Sequence, residues 1–480
     1  MVLSLLPMKE NQLLIPLGIF VALAVILRFF SFFPSVINHD ESTYILIGES
    51  LLHGKTYFVD FIDTKPIGIF LVYAGLLTVA GKSIFILRLL TALWIAVTAF
   101  GLFRVSELWL NDRAAAWAAG IGYLFLTSIF TYYGINPNTE LYFNLFTILA
   151  LWCLLAGTDW WRFALAGGLL GLGFMIKYVV LFDALAFGLF FLWRYYREEK
   201  LLIFGKLVLM GITFSIPFLI ILWYYQSIGQ LETLLYYTFE VTRKYPVDTP
   251  WWKSAVFILQ FLLRFFPLTF MAIYAWWKLE GRDWKTLMAL WFILDLFIIL
   301  WPGKLFGHYL IQWMLPLALL GGFYFSDLCV KPKFWQKIPA KWGYRLLAFL
   351  AVVVIYFQKM DYYDRPDEPR AVAAYLQSRL QEDDVIYTGN FHHILYFLLD
   401  KESPTPYVHR SLLWDAKNID ALGIDTAQET EHLLAKAPRY MLWNGDFSGN
   451  EMAQKLFENY HQVQQFGDQL HLYEINQDAE

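Results

Sequence analysis

Charge is scarce in this chain. Of its 480 residues only 16% are Asp, Glu, Lys or Arg, whereas a soluble globular domain carries about 25%. The charge present gathers in short runs between long apolar stretches, and again toward the C-terminus. Net charge is −4, which leaves no electrostatic footprint for nucleic acid. There are two cysteines, Cys153 and Cys329, both in apolar runs, so a disulfide framework is not expected and no thiolate metal spacing exists. A cleavable signal peptide is not expected: the first apolar run, Leu13 to Phe33, is long enough to span a bilayer and has no small-residue cleavage site. No internal repeat or low-complexity tract occurs.

What fills the chain instead is apolar and aromatic. Hydrophobic residues make up 58%, and there are 20 Trp and 29 Tyr, the side chains that favour the membrane–water boundary. About 20 mostly apolar residues cross a membrane. The stretches 13–33, 84–109, 114–134, 140–157, 163–177, 178–194, 201–225, 254–277, 285–301, 305–328 and 343–358 approach that length. Two shorter pieces, 40–53 and 66–81, read as helices at one surface or re-entrant. The expectation is a polytopic α-helical membrane protein of about 11–13 membrane helices. Lys and Arg concentrate in alternate connections, at Arg113, Arg194–Lys200, Lys278–Lys285 and Lys331–Arg345. The positive-inside rule makes these cytoplasmic and places 34–83, 135–140, 226–253, 302–308 and everything after about 359 outside. Beyond Asp361 the sequence becomes charged. It predicts helices over 367–381 and 428–436 and strands over 384–389, 439–443, 461–466 and 470–475. The expected division is a membrane domain over 1–358 and a small extracytoplasmic α/β domain over 359–480.

Ionisable groups inside hydrocarbon are costly and are functional suspects until explained. Arg28, Arg88, Lys177, Asp183, Asp295 and His308 all fall in the outer half of their expected spans, and Arg264 lies near mid-depth or outward. Their clustering suggests a polar cavity opening outward. The alternative is snorkelling or structural ion pairing. The first outer loop is the densest: His39-Asp40-Glu41, then Tyr44, Gly54, Asp60, Asp63, Lys65 and Pro66. Asp40-Glu41 can be read as helix capping or as a base at the water–lipid boundary. Lys65 can be a loop residue paired with Asp63 or a point charge for phosphate. His392-His393 lack the accompanying Cys or carboxylate spacing of a metal site and read as structural.

The pattern Asp40-Glu-x-x-Tyr44, Asp60-x-x-Asp63-x-Lys65-Pro66 and Arg88-Leu-Leu resembles GT-C membrane glycosyltransferases, notably the dolichyl-phosphate-mannose protein mannosyltransferases and the bacterial aminoarabinose transferases of lipid A. Glu140 in Asn136-Pro-Asn-Thr-Glu140, Gly171-x-Gly173 ending in Lys177, and Lys304-Leu-Phe-Gly-His308-Tyr309 fit the same family, over about residues 13–320. Thr64 and Ile67 flank Lys65-Pro66 where the aminoarabinose transferases have an acidic residue and a second proline, so the sugar stays open.

The resemblance implies inverting transfer of a sugar from a polyprenyl-phosphate donor, on the outer face of the inner (plasma) membrane, to a glycolipid, polysaccharide or protein. It implies Asp40, with Glu41 and Glu140, as the catalytic carboxylates. Lys65, Arg264 and Lys177 would bind the donor phosphate, with Asp63, Arg88, Lys304, His308 and Tyr309 lining the cavity. No cofactor is required, although Asp40 with Glu140 is a possible site for a divalent metal. A transporter or flippase of a lipid-linked or anionic solute, and a non-catalytic sensor, are the alternative classes. The lack of a repeat speaks against the first.

Overall fold

The structure is a computed structural model, described for residues 11–244, 247–331 and 339–476. The expected cytoplasmic lysines Lys333 and Lys337 lie outside the described residues. The chain divides into two compact units. One comprises residues up to Phe32 with Arg88–Ile221 and Pro246–Tyr363; the other comprises Phe33–Leu87, Leu222–Tyr245 and the chain from Asp364 on. The first outer loop thus groups with the C-terminal region.

The first unit is helical. It contains α1 (Asn11–Arg28), most of α4 (Ile84–Leu110), α5 (Arg113–Ile129), α6 (Thr139–Leu155), α7 (Trp160–Ile176) and the larger part of α8 (Val180–Ser227), followed by Trp251–Arg264, Phe266–Lys278, Arg282–Leu300, Met314–Phe323 and Ala340–Gln358. Among the described residues, four helices are long and apolar enough to cross a membrane, with apolar stretches beginning at Leu14, Ile84, Val180 and Lys341; a bent pair would add a fifth. Thr139–Leu155 and Trp160–Ile176 are apolar but shorter.

Several expected spans take a different form. The loop expected at 194–200 is absent. Arg197 to Lys200 stays in the helical register apart from Glu199, whose φ of −139° breaks it. Phe191 before the break packs on Phe163 of α7, and Met210 after it meets Gly167, one turn further along α7. A straight helix would separate 191 from 210 by about 28 Å, so the chain doubles back at Glu199 and α8 is two expected spans in one. The expected span 254–277 is also broken. Trp251–Arg264 and Phe266–Lys278 are bent by 95°, because Pro267 cannot donate to the carbonyl four residues earlier. The expected span 305–328 has a 3-10 turn, Gly307–Ile311, ahead of the ten-residue helix Met314–Phe323.

Without a hydrophobic driving force in lipid, helices associate through small residues and internal hydrogen bonds. A Cβ on Gly167 or Gly171 of α7 would lie 2.2 or 2.3 Å from backbone oxygens of α8, and one on Gly322 would lie 2.7 Å from the backbone nitrogen of Ala119 in α5. Helix-end carbonyls are satisfied from inside. Arg28 donates to Thr127 O at 2.7 Å and Ile135 O at 2.8 Å, and Gln358 donates to Leu27 O and Ser128 O.

The second unit begins with α2 (His39–Leu52) and α3 (Ile67–Ala80). Each has 14 residues, about 21 Å, too short to span about 30 Å of hydrocarbon. They pack closely at Gly48, where a Cβ would lie 2.9 Å from the nitrogen of Ala74. The C-terminal part carries a four-stranded sheet: β1 (Ile386–Tyr387), β2 (Tyr440–Asn444), β3 (Tyr460–Phe466) and β4 (Leu470–Ile475), in the order β1-β2-β4-β3. Within this sheet β1 and β2 pair in parallel and the other pairs are antiparallel. Helices Glu368–Gln377 and Thr426–Ala435 lie where the sequence places them, whereas Ile394–Leu399, Ala416–Leu422 and Glu451–Phe457 were not expected. One core joins the unit: Ile62 of the first outer loop and Val241 pack with Leu413, Leu433, Met441 and Trp443. Asp367 fastens the loop as well, accepting from Ser35 N at 2.7 Å while capping Glu368–Gln377 through Arg370 N.

Candidate active site

In the second unit the helix α2 delivers its first turn to the site. Its N-cap is Asn38, whose side chain accepts from Asp40 N at 3.3 Å. Asp40 is therefore not needed as the cap, and its carboxylate is used elsewhere. Asp40 Oδ1 lies 2.9 Å from Lys65 Nζ, and Asp63 Oδ1 lies 3.3 Å from the same ammonium. Lys65 is positioned by its backbone. Its nitrogen donates to Asp63 Oδ1 at 3.1 Å, and its carbonyl accepts from Tyr57 Oη at 2.6 Å. Pro66 then restricts Lys65 to extended backbone and starts α3. Burial alone would lower the Lys65 pKa, but Asp40 and Asp63 hold it well above its ordinary value. Asp63 is buried, while about a fifth of the Asp40 side chain and a quarter of Lys65 remain open, at 20% and 24%. Glu41 is buried.

The C-terminal region adds residues to this place that the sequence did not suggest. His409 Nε2 lies 3.8 Å from Asp40 Oδ1. Its Nδ1 faces Ser411 N at 3.2 Å, an obligate donor, so in the neutral ring the proton sits on Nε2, toward Asp40. His39 stacks on His392 with ring centroids 4.7 Å apart, and His393 Nε2 bonds Thr43 Oγ1 at 2.8 Å. Burial first, then His392, Arg410 and His409 at His39 and Arg410 at His392, keep these rings neutral: His39 falls to about 2 and His392 to about 4. His393 and His409 are lowered too, His393 well below the ordinary value. His392 and His393 thus both pack against the first turns of α2. The only signal for it in the sequence is the His beside Asp40.

In the first unit, Glu140 occupies the first turn of α6 and is buried. It forms an ion pair with Lys177, which ends α7 in extended conformation. The Lys177 ammonium also lies 4.1 Å from the centre of the Tyr309 ring, and His308 packs edge-on against Tyr309. Just before α6, Asn136 and Asn138 are fully buried with neither amide partnered. Lys304 is half-buried in the loop before the 3-10 turn.

Arg88 is buried and donates to Ser31 O at 2.9 Å. Asp183 and Asp295 are fully buried around Gln312 and Trp291, an internal network. Arg264 does not pair with either of them. It lies exposed at the end of its helix, over the rings of Phe130 at 4.8 Å and Tyr133 at 5.2 Å. Asp40 and Glu140 each hold an ammonium, and among the described residues no group of three or more His, Cys, Asp or Glu is placed to bind a metal ion.

Residues 64–224 match the dolichyl-phosphate-mannose-protein mannosyltransferase family. An undecaprenyl phosphate-alpha-4-amino-4-deoxy-L-arabinose arabinosyl transferase of Pseudomonas fluorescens is 26% identical over 68% of this chain and 63% of its own length. The chain therefore spans a little under two thirds of that relative. Among solved structures, ArnT from Cupriavidus metallidurans bound to undecaprenyl phosphate superposes with a TM-score of 0.69 at 12% identity, covering 97% of this chain and 98% of that one. The Archaeoglobus fulgidus oligosaccharyltransferase covers 95% and 73%, with a TM-score of 0.54 and 12% identity. The fold is that of these two structures. The chain is a multi-pass membrane protein, and non-helical backbone at membrane depth, as in its broken and shortened helices, is tolerated where protein or water covers it.

Proposed function

We propose that this protein is a membrane glycosyltransferase that moves a sugar from a polyprenyl-phosphate donor to a hydroxyl of a glycolipid, polysaccharide or protein. The reaction would take place on the periplasmic side of the inner membrane. The observation that carries the reading is the Asp40–Lys65–Asp63 group, built on a GT-C fold. In the reaction the acceptor oxygen attacks the anomeric carbon, the bond from that carbon to the phosphate oxygen breaks, and the configuration inverts. Asp40 takes the acceptor's proton. Negative charge grows on the departing phosphate, where a fixed ammonium stabilises it more than it stabilises the bound donor; Lys65 supplies that ammonium. His409 directs an N–H at Asp40 and helps hold the carboxylate ionised. Glu140, with Lys177, is assigned to positioning acceptor or sugar. No step is routed through a metal.

Two experiments bear on this reading. Single cysteines at the exposed positions Ser227 and Ser448 are expected to react with an impermeant maleimide in intact spheroplasts, and one at exposed Glu280 only after lysis. Labelling at Glu280 from outside would reverse the orientation and place the group away from the donor. In purified protein, Lys65→Ala is expected to weaken binding of the polyprenyl-phosphate sugar at least about tenfold. Arg264→Ala is expected to do so without loss of melting temperature, because among the described residues no carboxylate pairs with it. Unchanged affinity in both would remove them from the donor site.

A further inference from the structure

The helix Trp251–Arg264 starts and finishes at the same end of the helical unit. Phe265, just after it, packs on Phe130 and Tyr133, with ring centroids 5.6 and 5.7 Å apart, where α5 finishes. From there the helix Phe266–Lys278 runs back along α5. A Cβ on Gly122 would lie 3.6 Å from Leu268. Further on, Tyr274 Oη donates to Val330 O at 2.8 Å, near Asp327, whose nitrogen donates to Asp112, the N-cap of α5. Ahead of Trp251, Val247 N donates to Pro302 O at 3.0 Å and Thr249 Oγ1 to Gly303 O at 2.5 Å. These two acceptors follow the helix Arg282–Leu300, and Gly307, a few residues on, faces the Tyr133 ring. Trp251–Arg264 is about 21 Å long. A crossing would part its ends by most of that depth, yet both are tied to the side opposite Arg113 and Lys278.

At about 100° per residue, this helix divides into three sectors. Phe257 and Phe261 are buried, Phe261 against Tyr133 at 5.9 Å and Trp313 at 6.4 Å. Trp251, Trp252, Ala255, Val256, Leu259 and Leu263 form an exposed apolar sector about 140° wide; Trp251 is 81% and Leu263 60% exposed, so protein does not cover it. Between the two runs an exposed polar strip, Lys253, Gln260 and Arg264, the full length of the helix. A helix crossing hydrocarbon would carry that strip through it uncovered, which is costly for an amide and a guanidinium. A helix lying in the interface has an apolar face for acyl chains and a basic, polar edge for headgroups and water. Trp is at home at that boundary, and the Lys253 ammonium lies 5.5 Å from the Trp252 ring, where its stem can cover apolar surface while its charge stays wet.

We propose that Trp251–Arg264 is a lipid-binding surface that lies flat in the outer interface of the membrane and does not cross the bilayer. Its occupant is the phospholipid of the outer leaflet: upper acyl chains against the Trp251–Leu263 sector, headgroups along Lys253, Gln260 and Arg264. The 95° bend is then the point where the chain passes from the membrane surface into the membrane, and Phe266–Lys278 alone makes the descent beside α5.

The test is spin-label depth in the full-length protein in phosphatidylcholine nanodiscs, with Cys153 and Cys329 replaced by alanine. Single labels go at Ala255, Leu259 and Leu263, which share one face and are exposed, and at Gln260 on the strip. Depth is read from collisions with oxygen, which favours lipid, and with a nickel chelate, which favours water. The first three labels are expected at one depth, about 5–10 Å below the headgroups, and the Gln260 label nearer water than its neighbour at Leu259. A label at Leu263 about 12 Å deeper than one at Ala255 would mean a crossing helix and overturn the proposal. So would all three labels in water, or Leu259 and Gln260 at equal depth. Should the labelled variants melt below the wild type, unlabelled wild type decides. A phospholipid with a diazirine at the glycerol end of its chain is expected to leave adducts all along 251–263. Adducts confined to 251–255, or none in the helix, overturn the proposal.

Discussion

Replacing Asp40 by Asn is expected to leave a folded, inserted protein whose sugar transfer is at least about a hundredfold slower. The two halves of that expectation have separate causes. Folding survives because the start of α2 is capped by Asn38, and because an asparagine oxygen can still accept from Lys65. The lost ion pair is itself worth little. Its side chains are about a fifth to a quarter open to solvent, at 20% and 24%, and pairs in contact with water contribute up to about 1 kcal/mol. Asp63 also remains beside the ammonium. Catalysis fails because an amide cannot take the acceptor's proton. Glu41→Gln, one residue on but facing the interior, should cost transfer less. The measurement is transfer of labelled sugar from polyprenyl phosphate in vesicles. Near-normal turnover in Asp40→Asn would reduce the residue to a salt-bridge partner.

The reasons why some of this was legible in the sequence are physical. Apolar runs of about 20 residues have few alternatives to helix in lipid, so the helical stretches emerge from hydropathy. The C-terminal strands emerge from alternation: β2, β3 and β4 lie at Tyr440–Asn444, Tyr460–Phe466 and Leu470–Ile475, within a residue or two of the sequence reading. Breaks were harder. Glu198, Glu199 and Lys200 signal a surface turn by charge, yet they are good helix formers, and the chain turns there through one residue. Pro267 carried a visible signal for the break after Arg264 that an apolar window averages away. The site divides in the same manner. Asp40, Asp63 and Lys65 sit in one loop, and their meeting follows from local spacing. Glu140 and Lys177 were singled out one at a time, but their pairing depends on how α6 packs against α7. His409 and Arg410 lie in a segment with neither periodicity nor motif, far along the chain from the Asp40 that His409 faces. Only tertiary structure reveals them. The first outer loop gave no sign in sequence that it shares a core with residues 413–443.

The other large effect is expected from a residue with no part in the reaction. Gln312→Leu should lower stability by about 3 kcal/mol. Asp183 and Asp295 are fully buried, and one side-chain amide serves both: Gln312 Nε2 donates to Asp183 Oδ2 at 3.1 Å and to Asp295 Oδ1 at 2.9 Å. Trp291 Nε1 gives Asp183 a further bond at 2.6 Å, while Asp295 Oδ2 has no partner. Leucine in place of Gln312 removes both shared donors and leaves two acids facing each other in an apolar interior, where an unmet polar group has no water to turn to. Removing an acid instead reverses the sign of the problem. Asp295→Leu deletes a group that is already half-satisfied and leaves Gln312 to Asp183, so it should cost much less despite being the larger change in charge. Melting of the two variants in the same detergent decides the matter. If both acids instead lined a polar cavity, as their place in the sequence suggested, water would replace the lost amide and Gln312→Leu would melt with the wild type.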